Sequence, residues 1–282
     1  MSLRRPRPGH AFFGGAPLLM AHRGGARLRP ENTLAAFRCA LDDWDADVLE
    51  MDVRLTADGR VAVVHDETVD RTTDGSGAVH EMNWSAIRKL DAGFRFLDLA
   101  GQPSHRGRGI RIPLFDEVLE AFPTTRIIVE PKAAAAAGPL VRAILSANAA
   151  HRVLIGAEFE ATRVAARGYP GPWGASRRQI VPFWLLHRVP VVGRWYVPAA
   201  DAFQVPERSG RLRVLTPAFV RAAHAANMPV HVWTVDEPDD MRRLLDWGVD
   251  GIQTDRPDLL AQVLSDVTGR PPAPAITAGG EA

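Results

Sequence analysis

The stretch "PLLMAHRGGARLRPENTLAAFRCALDDWDADVLEMDVRL", residues 17–55, contains an apolar run, a helical pattern and a second apolar run. Leu34, Phe37 and Leu41 recur at the spacing of one helix face. The two apolar runs are short and precede polar or glycine-rich residues, as strands do. The stretch therefore predicts a strand, a helix and a second strand, which is the repeating unit of parallel α/β folds.

The alternation of strands and helices continues along most of the chain. The motif "TADG" at 56–59 predicts a turn, and "RVAVVH" at 60–65 predicts a strand that pairs with the preceding one in a hairpin. About nine strands in all alternate with helices, with no assignment between about 170 and 199. This pattern predicts an α/β fold, a (β/α)8 TIM barrel in which the hairpin arm is not a barrel strand. An open doubly wound sheet is the alternative, but "HRGGAR" matches neither of its usual phosphate-loop motifs.

The predicted barrel spans residues 18–268. A polar, turn-rich stretch from about 66 to 112 interrupts the alternation, and we interpret it as a small inserted subdomain. Residues 1–17 form an N-terminal extension, and residues 269–282, rich in Pro, Ala and Gly, are predicted to be a disordered tail.

Composition excludes several classes of protein. A chain of 282 residues that is 46% hydrophobic can bury a sizeable core. A formal net charge of +1 argues against a nucleic-acid partner. A single cysteine, Cys39, rules out an intrachain disulfide and favours a cytoplasmic location.

The most apolar stretch is "IVPFWLLHRVPVVGRWYV", residues 180–197. It contains two prolines together with His187, Arg188 and Arg194, so it is a poor membrane span. We interpret it as a barrel helix with its loops. The alternative is an amphipathic segment that makes a peripheral contact with a lipid chain or a membrane surface.

Two carboxylates stand two positions apart in "LEMDV", inside the second predicted strand. Because side chains alternate along a strand, Glu50 and Asp52 lie on one face, and their apolar neighbours favour the barrel interior or its mouth. Two unpaired carboxylates there repel each other and lose solvation, and a divalent cation relieves both costs. Ion pairs with arginine side chains are the alternative interpretation.

A third carboxylate, Glu130, ends the predicted strand "RIIVE", and Lys132 follows it on the same side. Three carboxylates form an all-oxygen ligand set, which Mg²⁺ and Ca²⁺ prefer and Zn²⁺ does not. We therefore predict one divalent cation, Mg²⁺ or Ca²⁺, with Lys132 neutralising an anionic ligand beside it. A surface ion pair between Glu130 and Lys132 is the simpler alternative.

Two histidines end predicted strands, His22 on the first strand and His65 on the hairpin strand. Imidazole titrates near neutral pH, so one ring can accept a proton while the other donates one. Arg23 offers a planar guanidinium group to phosphate oxygens. With the carboxylates at the strand ends that carry barrel active sites, these residues predict metal-assisted hydrolysis of a phosphodiester.

The chain resembles the glycerophosphodiester phosphodiesterase family. The matching motifs stand in the family's order and approximate spacing from about residue 18 to about 262, with a poor match between about 156 and 200: "AHRGG", "PENTLAAF", "LEMDVRLTADGRVAVVHD", "RTTDGSG", "VEPK", "VHVWTVD" and "GVDGIQTDRP". The resemblance implies a (β/α)8 barrel with a small subdomain inserted after His65. It also implies hydrolysis of glycerophosphodiesters to glycerol 3-phosphate and an alcohol.

The resemblance also implies a role for each matching residue. By motif position it gives an acid–base pair (His22 and His65), three metal ligands (Glu50, Asp52 and Glu130), two phosphate contacts (Arg23 and Lys132) and an aromatic contact on the glycerol side (Trp233).

Three other functions remain open at this point. A lysophospholipase D-like or phospholipase C-like enzyme that acts on lipids needs similar strand-end residues. A non-catalytic barrel that binds phosphate-bearing lipids is a further alternative, although a pure binding protein needs no acid–base pair.

Overall fold

We describe a computed structural model of the chain, which covers residues 10–189 and 196–275. Ten strands are described in these ranges: β1 (Leu18–Ala21), β2 (Val48–Leu55), β3 (Val61–Val63), β4 (Arg126–Pro131), β5 (Val153–Ile155), β6 (Phe203–Pro206), β7 (Arg208–Ser209), β8 (Leu212–Arg213), β9 (Val230–Trp233) and β10 (Gly251–Thr254). The same ranges contain nine α-helices: α1 (Leu34–Asp42), α2 (Trp84–Ile87), α3 (Phe115–Ala121), α4 (Ala134–Ser146), α5 (Glu160–Ala165), α6 (Arg177–Leu186), α7 (Pro217–Ala225), α8 (Pro238–Asp246) and α9 (Pro257–Thr268).

Seven strands pair in parallel in the order β5-β4-β2-β1-β10-β9-β6. Residues 173 and 174 close the ring between its two ends, because Trp173 forms a parallel bridge with Ile155 and Gly174 forms one with Ala202. The eighth barrel strand therefore lies in the stretch that the sequence left unassigned. The predicted (β/α)8 barrel is confirmed.

The predicted hairpin is also present. Strand β3 pairs with β2 in antiparallel register, with Val63 opposite Val53. The helix predicted after β1 is α1, and Thr33 is its N-cap. The Thr33 hydroxyl accepts a hydrogen bond of 3.2 Å from the backbone N–H of Ala36.

Side-chain alternation divides the barrel strands between two cores. Leu18, Met20, Val48 and Ile128 belong to a cluster inside the barrel, which Phe12 of the 3-10 turn Ala11–Phe13 joins. The intervening residues of the same strands pack outward in the large core between the strands and the helices. In β2 and β4 the inward face thus continues from these apolar residues toward the C-terminal ends of the strands.

The stretch from about 66 to 112 has an apolar cluster of its own. Val69, Val79 and Ile87 are buried together there, with Ala62 and Val64 of the hairpin arm. The packing attaches this stretch to the hairpin next to the barrel mouth.

The predicted tail from 269 to 282 begins with residues that contact the barrel. Arg270 lies 2.5 Å from an Asp47 carboxylate oxygen and 3.0 Å from one of Asp45, and Ala273 is buried. The described chain therefore continues past residue 268 with contacts to the barrel. Residues 1–9 of the predicted extension and 276–282 of the tail lie outside the described residues.

Candidate active site

The carboxylates predicted from strand alternation lie on the inward face of the barrel. Glu50 and Asp52 follow Val48 at two-residue steps in β2, and both are buried. Glu130 follows Ile128 in β4, and the parallel register places Glu130 beside Asp52. All three side chains therefore point into the barrel near the C-terminal ends of their strands.

His22 and Arg23 belong to a 3-10 turn, His22–Gly24, that directly follows β1. Gly24 has a φ of +82°, and a Cβ atom there would lie 2.8 Å from side-chain atoms of Ala36 and Phe37. Only glycine combines this backbone conformation with such close packing against α1. The glycine thus fixes the turn that carries both polar side chains to the barrel mouth.

One cavity of about 580 Å³ opens at this end of the barrel. Every site residue predicted from the sequence lines it: His22, Arg23, Glu50, Asp52, His65, Glu130, Lys132 and Trp233. Trp233, the last residue of β9, keeps 40% of its surface exposed to the cavity and solvent. Residues spread over more than 200 positions of sequence thus share one site.

Two cationic side chains lie against Asp52. Lys132 Nζ is 2.8 Å from Asp52 Oδ1 and 3.1 Å from Glu130 Oε2, while Arg23 Nε is 3.1 Å from Asp52 Oδ2. Burial alone would raise the pKa of Asp52, but the charges of Lys132 and Arg23 outweigh it and hold that pKa below its usual range. Asp52 is therefore an anion held between two cations.

The negative charge of Glu50 is compensated less strongly than that of Asp52. It accepts a hydrogen bond of 2.9 Å from the backbone N–H of Arg23, and His22 Nε2 lies 3.9 Å from the same carboxylate oxygen. Burial, followed by the nearby charge of Asp52, raises the pKa of Glu50. Burial likewise raises the pKa of Glu130, although Lys132 opposes it. The three carboxylates of this site thus outnumber the two cationic side chains beside them, Arg23 and Lys132.

His22 is held by a carboxylate from the last barrel strand. Its Nδ1 lies 2.6 Å from Asp255 Oδ1, a hydrogen bond that fixes the plane of the ring. Burial would lower the pKa of His22, but the charges of Glu50 and Asp255 and this hydrogen bond outweigh it and raise that pKa. The contact leaves Nε2 of His22 on the side of Glu50.

His65 is held in the same way by its neighbour in sequence. His65 Nδ1 lies 2.6 Å from Asp66 Oδ1, and Arg71 bridges Asp66 to Glu31 through further ion pairs. Burial lowers the pKa of His65, against the opposing charge of Asp52 and the bond to Asp66. Arg71 belongs to the inserted stretch, which therefore braces one of the two histidines.

The carboxylates of this cavity are the residues that would hold the divalent cation predicted from the sequence. Within residues 10–189 and 196–275, no three or more His, Cys, Asp or Glu side chains are grouped closely enough to hold a metal ion. Lys132 Nζ lies between Asp52 and Glu130 instead. The chemistry of the donors nevertheless fits a hard cation, because three carboxylates share the cavity and the pKa of Glu50 and of Glu130 is raised.

Three residues that are not among the predicted site residues support the site. Asp255, directly after β10, binds His22. Asp66 was not singled out, although it directly follows His65. Asn32 donates from Nδ2 to Asp52 Oδ2 over 3.2 Å and accepts from the backbone N–H of Asp52 over 3.3 Å. A carboxylate at the end of a strand was the available signal for Asp255.

The described part of the apolar stretch 180–197 includes most of α6, whose Phe183 is buried against Phe203 and Phe219. Residues 190–195 of that stretch lie outside the described residues. In the described ranges, no helix combines the length and hydropathy that crossing a membrane requires.

Comparison with known proteins finds a matching family model and similar curated proteins. The model of the glycerophosphoryl diester phosphodiesterase family matches residues 22–259. A probable glycerophosphodiester phosphodiesterase 2 of Mycobacterium tuberculosis is 39% identical over 89% of this chain and 91% of its own. A glycerophosphodiester phosphodiesterase of Caldanaerobacter subterraneus is 33% identical over 88% of this chain and 97% of its own.

Two solved structures extend the comparison. The crystal structure of glycerophosphodiester phosphodiesterase from Agrobacterium tumefaciens superposes with a TM-score of 0.71 at 28% identity, covering 87% of this chain and 99% of that one. A phosphodiesterase of Oleispira antarctica, solved with the product sn-glycerol-3-phosphate, has the same fold, with a TM-score of 0.70 at 21% identity over 90% and 99% of the two chains. The chain is therefore an enzyme of the glycerophosphoryl diester phosphodiesterase family, which confirms the resemblance found in its sequence.

Proposed function

We propose that this protein hydrolyses glycerophosphodiesters to glycerol 3-phosphate and an alcohol in a metal-dependent reaction. The observation that carries the proposal is the convergence of two histidines, three carboxylates, a lysine and an arginine on one cavity at the barrel mouth. The family supports it, and so does the sn-glycerol-3-phosphate bound by the Oleispira phosphodiesterase of the same fold.

The two cationic side chains bind the phosphate. Arg23 and Lys132 line the cavity beside the carboxylates, and a phosphodiester carries the negative charge that they attract. Trp233 at the cavity wall contacts the glycerol side of the substrate.

The two histidines move the protons. The Nδ1 atoms of His22 and His65 are held by Asp255 and Asp66, so Nε2 of each ring is the atom that exchanges a proton with the substrate or water. One Nε2 accepts the proton of the nucleophile, and the other donates a proton to the oxygen of the leaving alcohol. Fixed rings transfer protons efficiently because no reorientation is needed during the reaction.

Glu50, Asp52 and Glu130 would hold the divalent cation, Mg²⁺ or Ca²⁺. When bound, such an ion supplies positive charge that stabilises the transition state at phosphorus. The proposal is supported by the excess of carboxylates and by the raised pKa of Glu50 and Glu130.

A panel of glycerophosphodiesters assayed with Mg²⁺, Ca²⁺ and Mn²⁺, and after exhaustive chelation, tests the proposal. Glycerol 3-phosphate and one equivalent of alcohol are the expected products, and chelation is expected to stop their release. A stable cyclic phosphate would favour the phospholipase C-like alternative. Binding of the diester without turnover would favour the non-catalytic alternative.

A cytoplasmic location and a peripheral lipid contact through residues 180–197 stay predictions. The single cysteine supports the first, and the exposed apolar side chains of α6 support the second.

A further inference from the structure

Arg71 of the inserted stretch joins two carboxylates, each of which holds a residue of the site. Its Nη1 and Nη2 donate to the two oxygens of Glu31 over 2.7 Å each, and its Nε and Nη2 donate to the two oxygens of Asp66 over 2.5 and 3.2 Å. Glu31 in turn lies 3.1 Å from Arg23 Nη1. Asp66 lies 2.6 Å from His65 Nδ1. One guanidinium thus links a phosphate-binding side chain to a proton-transfer side chain, although it does not itself line the cavity.

The backbone around Arg71 is fixed on both sides. Val69 and Thr73 are fully buried, and the hydroxyl and backbone N–H of Thr73 donate to the carbonyl oxygen of Val69 over 2.8 and 3.1 Å. Asp70 accepts a hydrogen bond of 2.8 Å from the Ser76 hydroxyl. This closed turn holds the guanidinium where its planar set of donors reaches both carboxylates at once.

The effect of Arg71 on its partners differs from its effect on stability. Arg71 is 48% exposed, and exposed ion pairs contribute little to the free energy of unfolding. Its partners are better shielded, since the side chains of Glu31 and Asp66 are 14% and 30% exposed. Charge-assisted contacts to both oxygens of a carboxylate fix the plane of that carboxylate. What Arg71 determines is therefore the orientation of Glu31 and Asp66.

We propose that Arg71 is a positioning residue that acts on His65 through Asp66. It acts in the same way on Arg23 through Glu31. Asp66, held in place, accepts the proton of His65 Nδ1 and leaves Nε2 to exchange protons with the substrate or water. Arg71 also shares the negative charge of Glu31, so the guanidinium of Arg23 stays available to the phosphate. The inference rests on the proposed function and gives the inserted stretch a part in it.

The test compares Arg71→Met with Arg95→Met in the full chain, since methionine keeps a long unbranched side chain and removes the guanidinium. Arg95 is an exposed arginine of the same stretch that does not line the cavity, and its Nε donates over 3.1 Å to the carbonyl oxygen of Thr73. Arg71→Met is expected to lower kcat for glycerophosphocholine about 10- to 100-fold, as the loss of an orienting partner does. Arg95→Met should keep the parent rate. Circular dichroism melting curves check that every variant is folded.

The ¹⁵N NMR spectrum of the His65 ring gives a readout that a purely structural role would not change. In the parent protein the neutral ring should carry its proton on Nδ1, because Asp66 accepts it there. In Arg71→Met, part of this population should shift to the tautomer with the proton on Nε2. Arg95→Met should show the parent spectrum.

Further variants separate the two effects of Arg71. In Arg71→Met the charge of Glu31 acts on Arg23 alone and competes with the phosphate, so KM should rise about fivefold. Adding Glu31→Gln removes that charge, so KM should return toward the parent value while kcat stays low. Arg71→Lys keeps the charge but has a single nitrogen, so its kcat should lie between those of Arg71→Met and the parent.

The outcomes separate this proposal from the proposed function. A parent-like kcat and an unchanged His65 tautomer in Arg71→Met would overturn the positioning role. Equal losses of kcat in Arg71→Met and Arg95→Met would also overturn it, since they would show a general dependence on the packing of the inserted stretch. Should Arg71→Met not fold, Arg71→Lys takes its place in the same measurements. No turnover of glycerophosphocholine by the parent protein would contradict the proposed function itself, and the tautomer of His65 would still test the role of Arg71.

Discussion

Nδ1 of His22, directly after β1, lies 2.6 Å from Oδ1 of Asp255, directly after β10, although 233 positions separate them in the sequence. Strands β1 and β10 are neighbours in the closed barrel, with Ala21 opposite Thr254. Barrel closure therefore creates the contact, which both orients the imidazole and raises its pKa.

Replacing Asp255 should weaken catalysis without removing it. The Asp255→Asn variant keeps a hydrogen-bonding group but loses the charge, so the pKa of His22 should fall and kcat should drop about 10- to 100-fold. The NMR titration of His22 and the pH profile of kcat measure the two effects. Asp250→Asn is a matched control, because Asp250 forms a similar pair with His224 that does not line the cavity. An unchanged His22 titration in Asp255→Asn would contradict the positioning role.

Removing either imidazole should have a larger effect. His22→Ala and His65→Ala are each expected to lower kcat by about 10²- to 10⁴-fold, because each removes one proton-transfer group. The initial rate of choline release from glycerophosphocholine measures the loss. His80→Ala, at an exposed position outside the cavity, is expected to keep the parent rate. Parent-like rates in both His22→Ala and His65→Ala would show that neither ring transfers a proton.

Glu130 should matter for metal binding in a way that its neighbour Glu158 does not. Both side chains line the cavity, but Glu158 is 43% exposed and pairs with Arg177. Glu130→Gln is expected to weaken binding of Mg²⁺ or Ca²⁺ at least about tenfold, because it removes one of the three proposed anionic ligands. Titration calorimetry with each ion measures this, and Glu158→Gln serves as the control. Equal affinity in Glu130→Gln and the parent protein would remove Glu130 from the ligand set.

Gly24 should be intolerant of a side chain. Gly24→Ala adds a Cβ atom 2.8 Å from Ala36 and Phe37 at a φ of +82°, whereas Gly59→Ala adds one at a φ of +76° with no atom within 4 Å. We expect Gly24→Ala to destabilise the fold by about 2–4 kcal/mol and Gly59→Ala by about 1 kcal/mol. Urea denaturation measures both. Because the turn carries His22 and Arg23, Gly24→Ala should also lower kcat, and equal stability losses in the two variants would show that packing at Gly24 is not tight.

A buried histidine at the other end of the barrel should make stability depend on pH. Burial lowers the pKa of His231 to about 4, and neither ring nitrogen has a hydrogen-bond partner among the described residues. Between the folded and unfolded pKa values the unfolded chain binds more protons, so stability falls as the pH decreases from about 6.5 to about 4. This group alone should account for a loss of about 2 kcal/mol in unfolding free energy between pH 7 and pH 5.

Urea denaturation at pH 7 and pH 5 measures this contribution. The His231→Leu variant cannot titrate at that position, so its loss should be smaller by about 2 kcal/mol. His80→Leu, at an exposed position, should show the parent's pH dependence. The same pH dependence in His231→Leu and the parent protein would contradict the assignment.

Features with a short sequence period were predictable. Glu50 and Asp52 are two residues apart in a strand, which predicts that they share one face. The apolar residues around them predict that this face points into the barrel. The hairpin of β2 and β3 followed from a turn motif between two apolar runs. These features depend on residues that are close together in the sequence, so the local residue pattern is enough to predict them.

Features that depend on closure of the barrel were not predictable in the same way. The eighth barrel strand, at Trp173 and Gly174, lies in a stretch rich in Pro and Gly and is held by single bridges to its neighbours. The contact of Asp255 with His22 and that of Asn32 with Asp52 join segments whose spacing carries no local signal. The contacts of Arg270 with Asp45 and Asp47 likewise join segments that lie far apart in the sequence.

The most direct test of the central claim is the ³¹P NMR spectrum of glycerophosphocholine incubated with the purified chain and Mg²⁺ or Ca²⁺, alongside a His22→Ala/His65→Ala double variant. The parent protein should convert the diester resonance to that of glycerol 3-phosphate, and the double variant should leave it intact over the same period. An unchanged diester with the parent protein, or conversion at equal rates by both proteins, would contradict hydrolysis at this cavity.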